Sequence, residues 1–274
     1  MKISIIIISW QVKELLRKCL ESIYKNQGGL SLEIFVVDNA SADGSVEMIK
    51  NEFSWVRPMS NEKNLGFARA NNQAIKLATG DYILLLNPDT ELLPGALGGC
   101  LEFMASSKDC GIMGGQILNP DGTIQPSVRK FPTFWPIFLL FLKIPKIFKN
   151  IKSIDNYLAV DFDYSQAQEV DQVMGAFMFI RKEVFAKIGQ LDDDFFLWFE
   201  EVDFCRRCWR AGFKILYNPR VKIIHYGGQS FNQQKIISRQ FLFFKSAWHY
   251  FRKNGFIDRD GDKIILPPSL KQKK

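Results

Sequence analysis

The stretch Leu84–Leu93, LLLNPDTELL, sets a leucine run against Asn87-Pro88-Asp89-Thr90-Glu91. A short continuous apolar run bounded by turn residues reads as a fully buried strand, of the kind found in parallel sheets covered on both faces. Asn-Pro-Asp is turn chemistry, because proline fixes φ and Asn and Asp side chains mimic backbone turn hydrogen bonds. The stretch admits two readings: a strand that merely turns, or a strand that delivers the Asp89 carboxylate to a metal.

Upstream, the same unit recurs. Ile3–Ser9, Glu33–Val37 and a short run near Val56 read as strands, and Val12–Lys25, Asp43–Asn51 and Gly66–Thr79 as helices. This alternation predicts an α/β fold with a mostly parallel central sheet and helices on both faces. Ligands on such sheets bind beyond the carboxyl ends of the strands. Ser9, Asp38, Asn61 to Asn64 and Asp89 all fall just past predicted strand ends, which favours the second reading of the opening stretch.

Downstream the pattern loosens. Cys110–Pro132 reads as a strand, a turn at Asp121-Gly122 and an irregular loop. Val173–Ile180, Lys214–Tyr217 and Val221–His225 read as strands, Glu200–Ala211 as a helix ended by Gly212, and about Gln233–Asn254 as a last helix. There is no internal repeat or long linker. The expected organisation is one catalytic domain over residues 1–230, with a C-terminal helix and tail over 231–274 packed on it.

The 274 residues are 47% hydrophobic and carry a net charge of +7. That excess points to anionic partners: nucleic acid, phosphorylated ligands or an acidic membrane face. The N-terminus MKISIIIISW is too short for a secretory apolar region, and no run approaches the roughly 18 apolar residues that span a bilayer. A cytoplasmic chain with reduced cysteines is expected. Cys205 and Cys208 form a C-x-x-C inside a charged helical pattern, without the second pair that a zinc site needs.

Neither G-x-G-x-x-G nor a P-loop follows the first strand, which runs into SWQVKE. A nucleotide on this sheet needs other contacts, such as hydrogen bonds to Asp38 and stacking on Trp10. Asn64, Gly66, Arg69, Asn71 and Asn72 surround a predicted helix start, where an arginine favours phosphate oxygens; a plain capped helix accounts for them equally well. In FFLWFEEVDFCRRCWRAG, Glu200, Glu201 and Asp203 follow an aromatic run and precede three arginines. A dipole-matched helix explains this order, as does a carboxylate desolvated for general-base work. His225 ends an apolar strand before a Gly pair.

Taken in order, VVDNASADGS, NLGFARANNQAI, GDYILLLNPDT, GAFMFIRKEVF, FFLWFEEVDFCRR and IIHYGGQS resemble glycosyltransferase family 2, the inverting enzymes, over about Ile3 to Ser230. The similarity is greatest to the rhamnosyltransferase-like subgroup of bacterial surface polysaccharide synthesis. The resemblance implies a glycosyltransferase A-type nucleotide-sugar-binding fold. It implies Ser9, Trp10, Asp38, Asn64, Gly66 and Arg69 at the donor nucleotide and diphosphate. It implies Asp89 and His225 at a Mg²⁺ or Mn²⁺ ion, Glu201 as general base with Glu200 beside it, and Asp203 and Arg207 as supports of the helix. Gly175, Ala176 and Trp198 fall on the acceptor side. The chain departs from the pattern twice: Ser-Trp-Gln stands where Asn commonly follows the aromatic, and Asn87 stands where a first metal carboxylate is often found, which predicts modest metal affinity.

The implied activity is metal-dependent, inverting hexosyl transfer from a nucleoside-diphosphate donor (dTDP-rhamnose or a UDP-sugar) to a hydroxyl of a glycan or lipid-linked acceptor. No nucleic-acid partner is expected. Sugar specificity is expected near Gly115, Gln116 and the Arg129 loop. Phe134–Lys152, with its aromatics and Lys143, Lys146, Lys149 and Lys152, reads either as peripheral contact with the inner face of an anionic membrane or as a lid with a solvated basic edge. Two rival classes are a sugar nucleotidyltransferase, which needs a Gly- and Arg-rich loop in place of SWQVKE, and a non-catalytic carbohydrate-binding protein, which needs exposed aromatic platforms and no ordered acidic site.

Overall fold

The computed structural model describes residues 1–146, 150–227 and 236–255. Four parallel strands form its N-terminal half: β1 (Lys2–Ser9), β2 (Ser31–Asp38), β3 (Val56–Ser60) and β4 (Tyr82–Leu86), in the order β3-β2-β1-β4. Isoleucine-rich β1 is buried on both faces, and its side chains divide by parity. Ile6 and Ile8 enter one core while Ile3, Ile5 and Ile7 enter the other, as the two-residue period of a strand requires. Helices α1 (Lys13–Asn26), α2 (Ser45–Glu52) and α4 (Ala96–Ser106) cover the second face. Helix α3 (Phe67–Ile75) packs on the first.

Beyond β4 the sheet becomes mixed. Strands β5 (Thr90–Leu92), β6 (Cys110–Leu118), β10 (Phe177–Arg181) and β11 (Lys214–His225) complete the order β4-β10-β6-β11-β5, and β8 (Gln168–Glu169) pairs with β11. Strand β10 runs antiparallel to both β4 and β6, while β6 and β11 are parallel. A short ribbon of β7 (Val128–Arg129) and β9 (Gln172–Val173) lies off this sheet. Val173–Ile180, expected as one strand, is broken at Met174-Gly175-Ala176 into β9 and β10. Lys214–Tyr217 and Val221–His225, expected as two, are one strand, whose pairing with β6 shifts register between Asn218 and Lys222.

Helices α7 (Lys182–Ile188), α8 (Glu200–Arg210) and α9 (Ile236–Asn254) cover the first face, beside α5 (Phe134–Phe141) and α6 (Lys152–Tyr157). The start expected for the last helix, Gln233, and Lys149 of the basic-aromatic segment lie outside the described residues. Asp203, fully buried on α8, ties this layer together. It accepts from Arg207 Nε at 2.7 Å, Lys253 Nζ at 3.0 Å and Asn254 Nδ2 at 3.0 Å. Arg207 continues to the carbonyls of Ile188 and Gln190. Cys205 and Cys208 are buried in the same core.

Candidate active site

The sheet gathers strand ends on one edge. Ser9 and Asp38 are register partners at the ends of β1 and β2, and β4 delivers Asn87-Pro88-Asp89. Backbone pairing then brings the other half of the site. Antiparallel β5 and β11 set His225 opposite Thr90, and Tyr226 N donates to Asp89 O at 2.9 Å. As a result His225 Nε2 lies 3.3 Å from Asp89 Oδ1, both side chains being buried. His225 Nδ1 lies 2.7 Å from Gln125 Oε1, and Gln125 Nε2 donates to Asn119 Oδ1 at 2.9 Å. An amide oxygen only accepts, so Nδ1 donates to Gln125 and Nε2 is the ring nitrogen turned toward Asp89. Asn87 Nδ2 lies 3.4 Å from the same Nε2.

One carboxylate oxygen and one imidazole nitrogen whose far side is held by an amide carbonyl are donors that would suit Mg²⁺ or Mn²⁺. Asp89 and His225 fit such an ion. A second grouping, Asp192, Asp194 and His249, lies where the loop before α8 meets α9. There Lys253 Nζ donates to Asp192 Oδ2 at 2.6 Å. Burial pushes the Asp192 carboxyl up, but Lys253 and its other donors outweigh this and hold it at about 2. Its charge is already met by an ammonium.

Two cavities adjoin at Phe67, Asn87 and Leu197. The first cavity is lined by Trp10, Asn39, Asn64, Gly66 and Asp89, among others. Ser9 and Asp38 lie behind that wall; Ser9 Oγ and Asp38 Oδ2 are sealed from solvent without a hydrogen-bond partner, while Asp38 Oδ1 accepts from Ser41 N at 2.8 Å. Arg69, expected at the diphosphate, has an exposed side chain that donates from Nε to Asp193 O at 2.9 Å and does not line this cavity. The phosphate reading of the α3 start changes too, since Phe67 N donates to Phe196 O at 2.9 Å. Gly66 permits that contact: with φ +82°, a Cβ there would stand 2.3 Å from Phe196 O.

The second cavity, of about 400 Å³, is lined by Gln125, Arg129, Gly175, Trp198, Glu200, Glu201 and His225, with others. Gly175 sits where its Cβ would stand 3.6 Å from Glu201 Cβ, and Ala176 lines the same wall. Trp198 and Phe199 enter α8 through two successive left-handed residues, φ 64° and 70°. Neither is glycine, so the entry is strained. It places Glu200 and Glu201 in the first turn of the helix. The Oε2 of each is sealed from solvent and without a partner. Burial and the Glu201 charge push the Glu200 carboxyl well above the usual range. Burial also raises Glu201, but Arg129 opposes the shift. Both carboxyls are thus raised, Glu200 with the Glu201 charge adding to burial and Glu201 with Arg129 opposing it.

Residues 4–189, more than half of the chain, match the family model "Glycosyl transferase family 2". The chain belongs to glycosyl transferase family 2. Among curated relatives of this glycosyltransferase, rhamnosyltransferase WbbL of Escherichia coli K12 is 27% identical over 276 residues, covering 95% of this chain and 97% of the relative. The N-acetylglucosaminyl-diphospho-decaprenol L-rhamnosyltransferase of Mycobacterium tuberculosis is 24% identical over 222 residues, 73% of this chain and 68% of the relative. The fold is that of glycosyltransferase A-type enzymes. It superposes on GalNAc-T7, solved with UDP, GalNAc and Mn²⁺, with a TM-score of 0.62 at 17% identity, over 82% of this chain and 43% of that one. The family match ends before Glu200, Glu201 and His225, so those residues rest on the geometry above.

Some residues of this glycosyltransferase's site were not expected. Gln125 lies in an irregular Pro-flanked loop, and Ser127, Gln172 and Leu197 have no pattern that marks them. Conversely, Gly115 and Gln116, expected near the sugar, lie inside β6: a Cβ on Gly115 would stand 2.7 Å from Val221 O, and Gln116 Nε2 donates to Tyr164 O at 3.2 Å. Of that group, Arg129 lines the cavity.

Proposed function

We propose that the protein moves a hexosyl group, with inversion, from a nucleoside-diphosphate sugar to a hydroxyl of a glycan or lipid-linked glycan. The observation that carries this reading is a pair of adjoining cavities: Asp89 lines one, and its neighbour His225 lines the other together with Glu201, whose Oε2 is buried without a partner. The donor nucleotide enters by Trp10, Asn64 and Gly66, with Asp38 and Ser9 behind them at the base. Asp89 and His225 would hold a Mg²⁺ or Mn²⁺, which when bound would offset the charge growing on the departing diphosphate. Glu201 takes the acceptor proton as the hydroxyl oxygen bonds to the anomeric carbon. The opposite bond of that carbon, to the phosphate oxygen, breaks, and its electron pair leaves with the nucleoside diphosphate. Gly175 and Ala176 leave room for the acceptor, and Trp198 gives its ring an apolar wall.

Two relatives are named as rhamnosyltransferases, which favours rhamnose as the sugar; dTDP-rhamnose as its donor, a role in polysaccharide synthesis and a place on the cytoplasmic side of an anionic membrane complete the proposed reading. No helix among the described residues is long and apolar enough to cross a membrane. Thermal shift across dTDP-, UDP- and GDP-sugars with Mn²⁺ tests the donor: dTDP-rhamnose is expected to raise the midpoint most. A shift with another donor alone reassigns the sugar, and no shift with any donor overturns the transferase reading.

A further inference from the structure

The outward stripe of α9 is aromatic where a water-facing stripe is ordinarily polar. Phe241, Phe244, Lys245, Trp248 and Arg252 are exposed at helical spacing, with Phe241 at 68% and Trp248 at 54%. Helix α5 and the residue after it do the same through Trp135 at 65%, Phe138 at 38% and Leu142 at 48%. The helices meet side by side, with ring centroids of Phe141 and Phe244 5.4 Å apart and those of Phe134 and Phe251 6.0 Å apart. Among the described residues, every exposed large aromatic except Tyr24 belongs to this face. Concentration of that kind marks an interaction surface, not the usual scatter of surface apolar groups.

We propose that the α5–α9 face docks on the anionic leaflet of a lipid bilayer. Charge selects this occupant. The sequence holds no acidic residue over 131–154 or over 231–257, and Lys143, Lys152, Lys245 and Arg252 are exposed in these segments. Two helices lying flat with aromatic side chains toward the acyl boundary and lysines toward phosphates match an interfacial geometry. A second copy seated on the same face by a two-fold axis would set these cations against one another, in chains of net charge +7 each.

The face also leads to the site. Between it and the catalytic cavity runs a cleft lined by Arg129, Phe141, Lys143, Trp198 and Phe243, among others. Arg129 and Trp198 belong to the catalytic cavity as well, and Phe141 and Phe243 to the apolar groove between α5 and α9. Docking in this orientation turns the acceptor entrance toward the leaflet. This consequence rests on the proposed transfer to an acceptor held there; the docking itself does not.

Flotation of the full chain with vesicles tests the proposal, in parallel with donor hydrolysis in solution. The chain is expected to float with phosphatidylglycerol-containing vesicles at low salt, and far less with phosphatidylcholine alone. Trp135→Ser with Trp248→Ser, both at exposed positions, should weaken flotation about tenfold or more and leave donor hydrolysis unchanged. Absence of flotation at low salt, equal flotation with neutral vesicles, or undiminished flotation of the double variant overturns docking. So does a double variant whose sole defect is lost self-association. Glu201→Gln should float as the wild type does. A wild type that floats yet hydrolyses no sugar nucleotide sinks the transferase reading alone, whereas one that hydrolyses but does not float sinks docking alone.

Discussion

Glu33 and Asp38 stand toward opposite ends of β2, both buried, and their partners differ. Glu33 accepts from Ser4 Oγ at 2.5 Å, Lys2 Nζ at 2.9 Å and Thr79 N at 2.6 Å. Burial pushes its carboxyl up, yet these donors outweigh burial and hold it at about 2. That carboxylate is spent on structure. Asp38 Oδ2 and the Oε2 atoms of Glu200 and Glu201 have no such donors, and a buried polar atom left unpaired is costly unless a ligand meets it. The same reasoning applies to His225, whose orientation depends on Gln125. Gln125→Ala should weaken Mn²⁺ binding about 10- to 100-fold by calorimetry; unchanged affinity would separate Gln125 from the metal. Arg129 holds Glu201 below where burial alone would put it. The reactive form is the ionised one, so losing the cation raises the pH at which it is reached. Arg129→Gln should move the acidic limb of kcat/KM to higher pH, and an unmoved limb would contradict this electrostatic role.

At the scale of elements, the strand ends were legible and their partners were not. LLLNPDTELL announced a buried strand ending in a carboxylate because local apolar runs and turn residues specify exactly that unit of structure. What no local pattern carries is pairing. Nothing in Phe177–Arg181 states that it lies antiparallel between β4 and β6. Helix α4 went unread because Gly95, Gly98 and Gly99 dilute its period. Spacing likewise places Arg69 near a helix start but does not reveal that Phe196 O accepts from Phe67 N there. Gly66 locks that loop to α3. Gly66→Ala adds a Cβ 2.3 Å from Phe196 O at φ +82°, and should cost about 2 kcal/mol or more in urea unfolding. A loss near zero would show that the loop is not fixed in this way.

For the whole molecule, the same sheet that buries two cores exposes one edge, and its mixed half exists to complete that edge. The parallel half supplies Ser9, Asp38 and Asp89; β11, beside the β5 edge, brings His225; and α8 enters through the strained Trp198-Phe199 pair with Glu201. The antiparallel partnership of β5 and β11 is what turns two distant strand ends into one site. Asn87, in the place where a second acid is often found, instead sits beside His225. If Glu201 takes the acceptor proton in a site that binds donor without it, Glu201→Gln separates the two steps when turnover and donor affinity are measured side by side with Mn²⁺. Donor affinity should stay within a few-fold of wild type while turnover falls about a hundred- to ten-thousand-fold; near-normal turnover would remove Glu201 from the proton transfer.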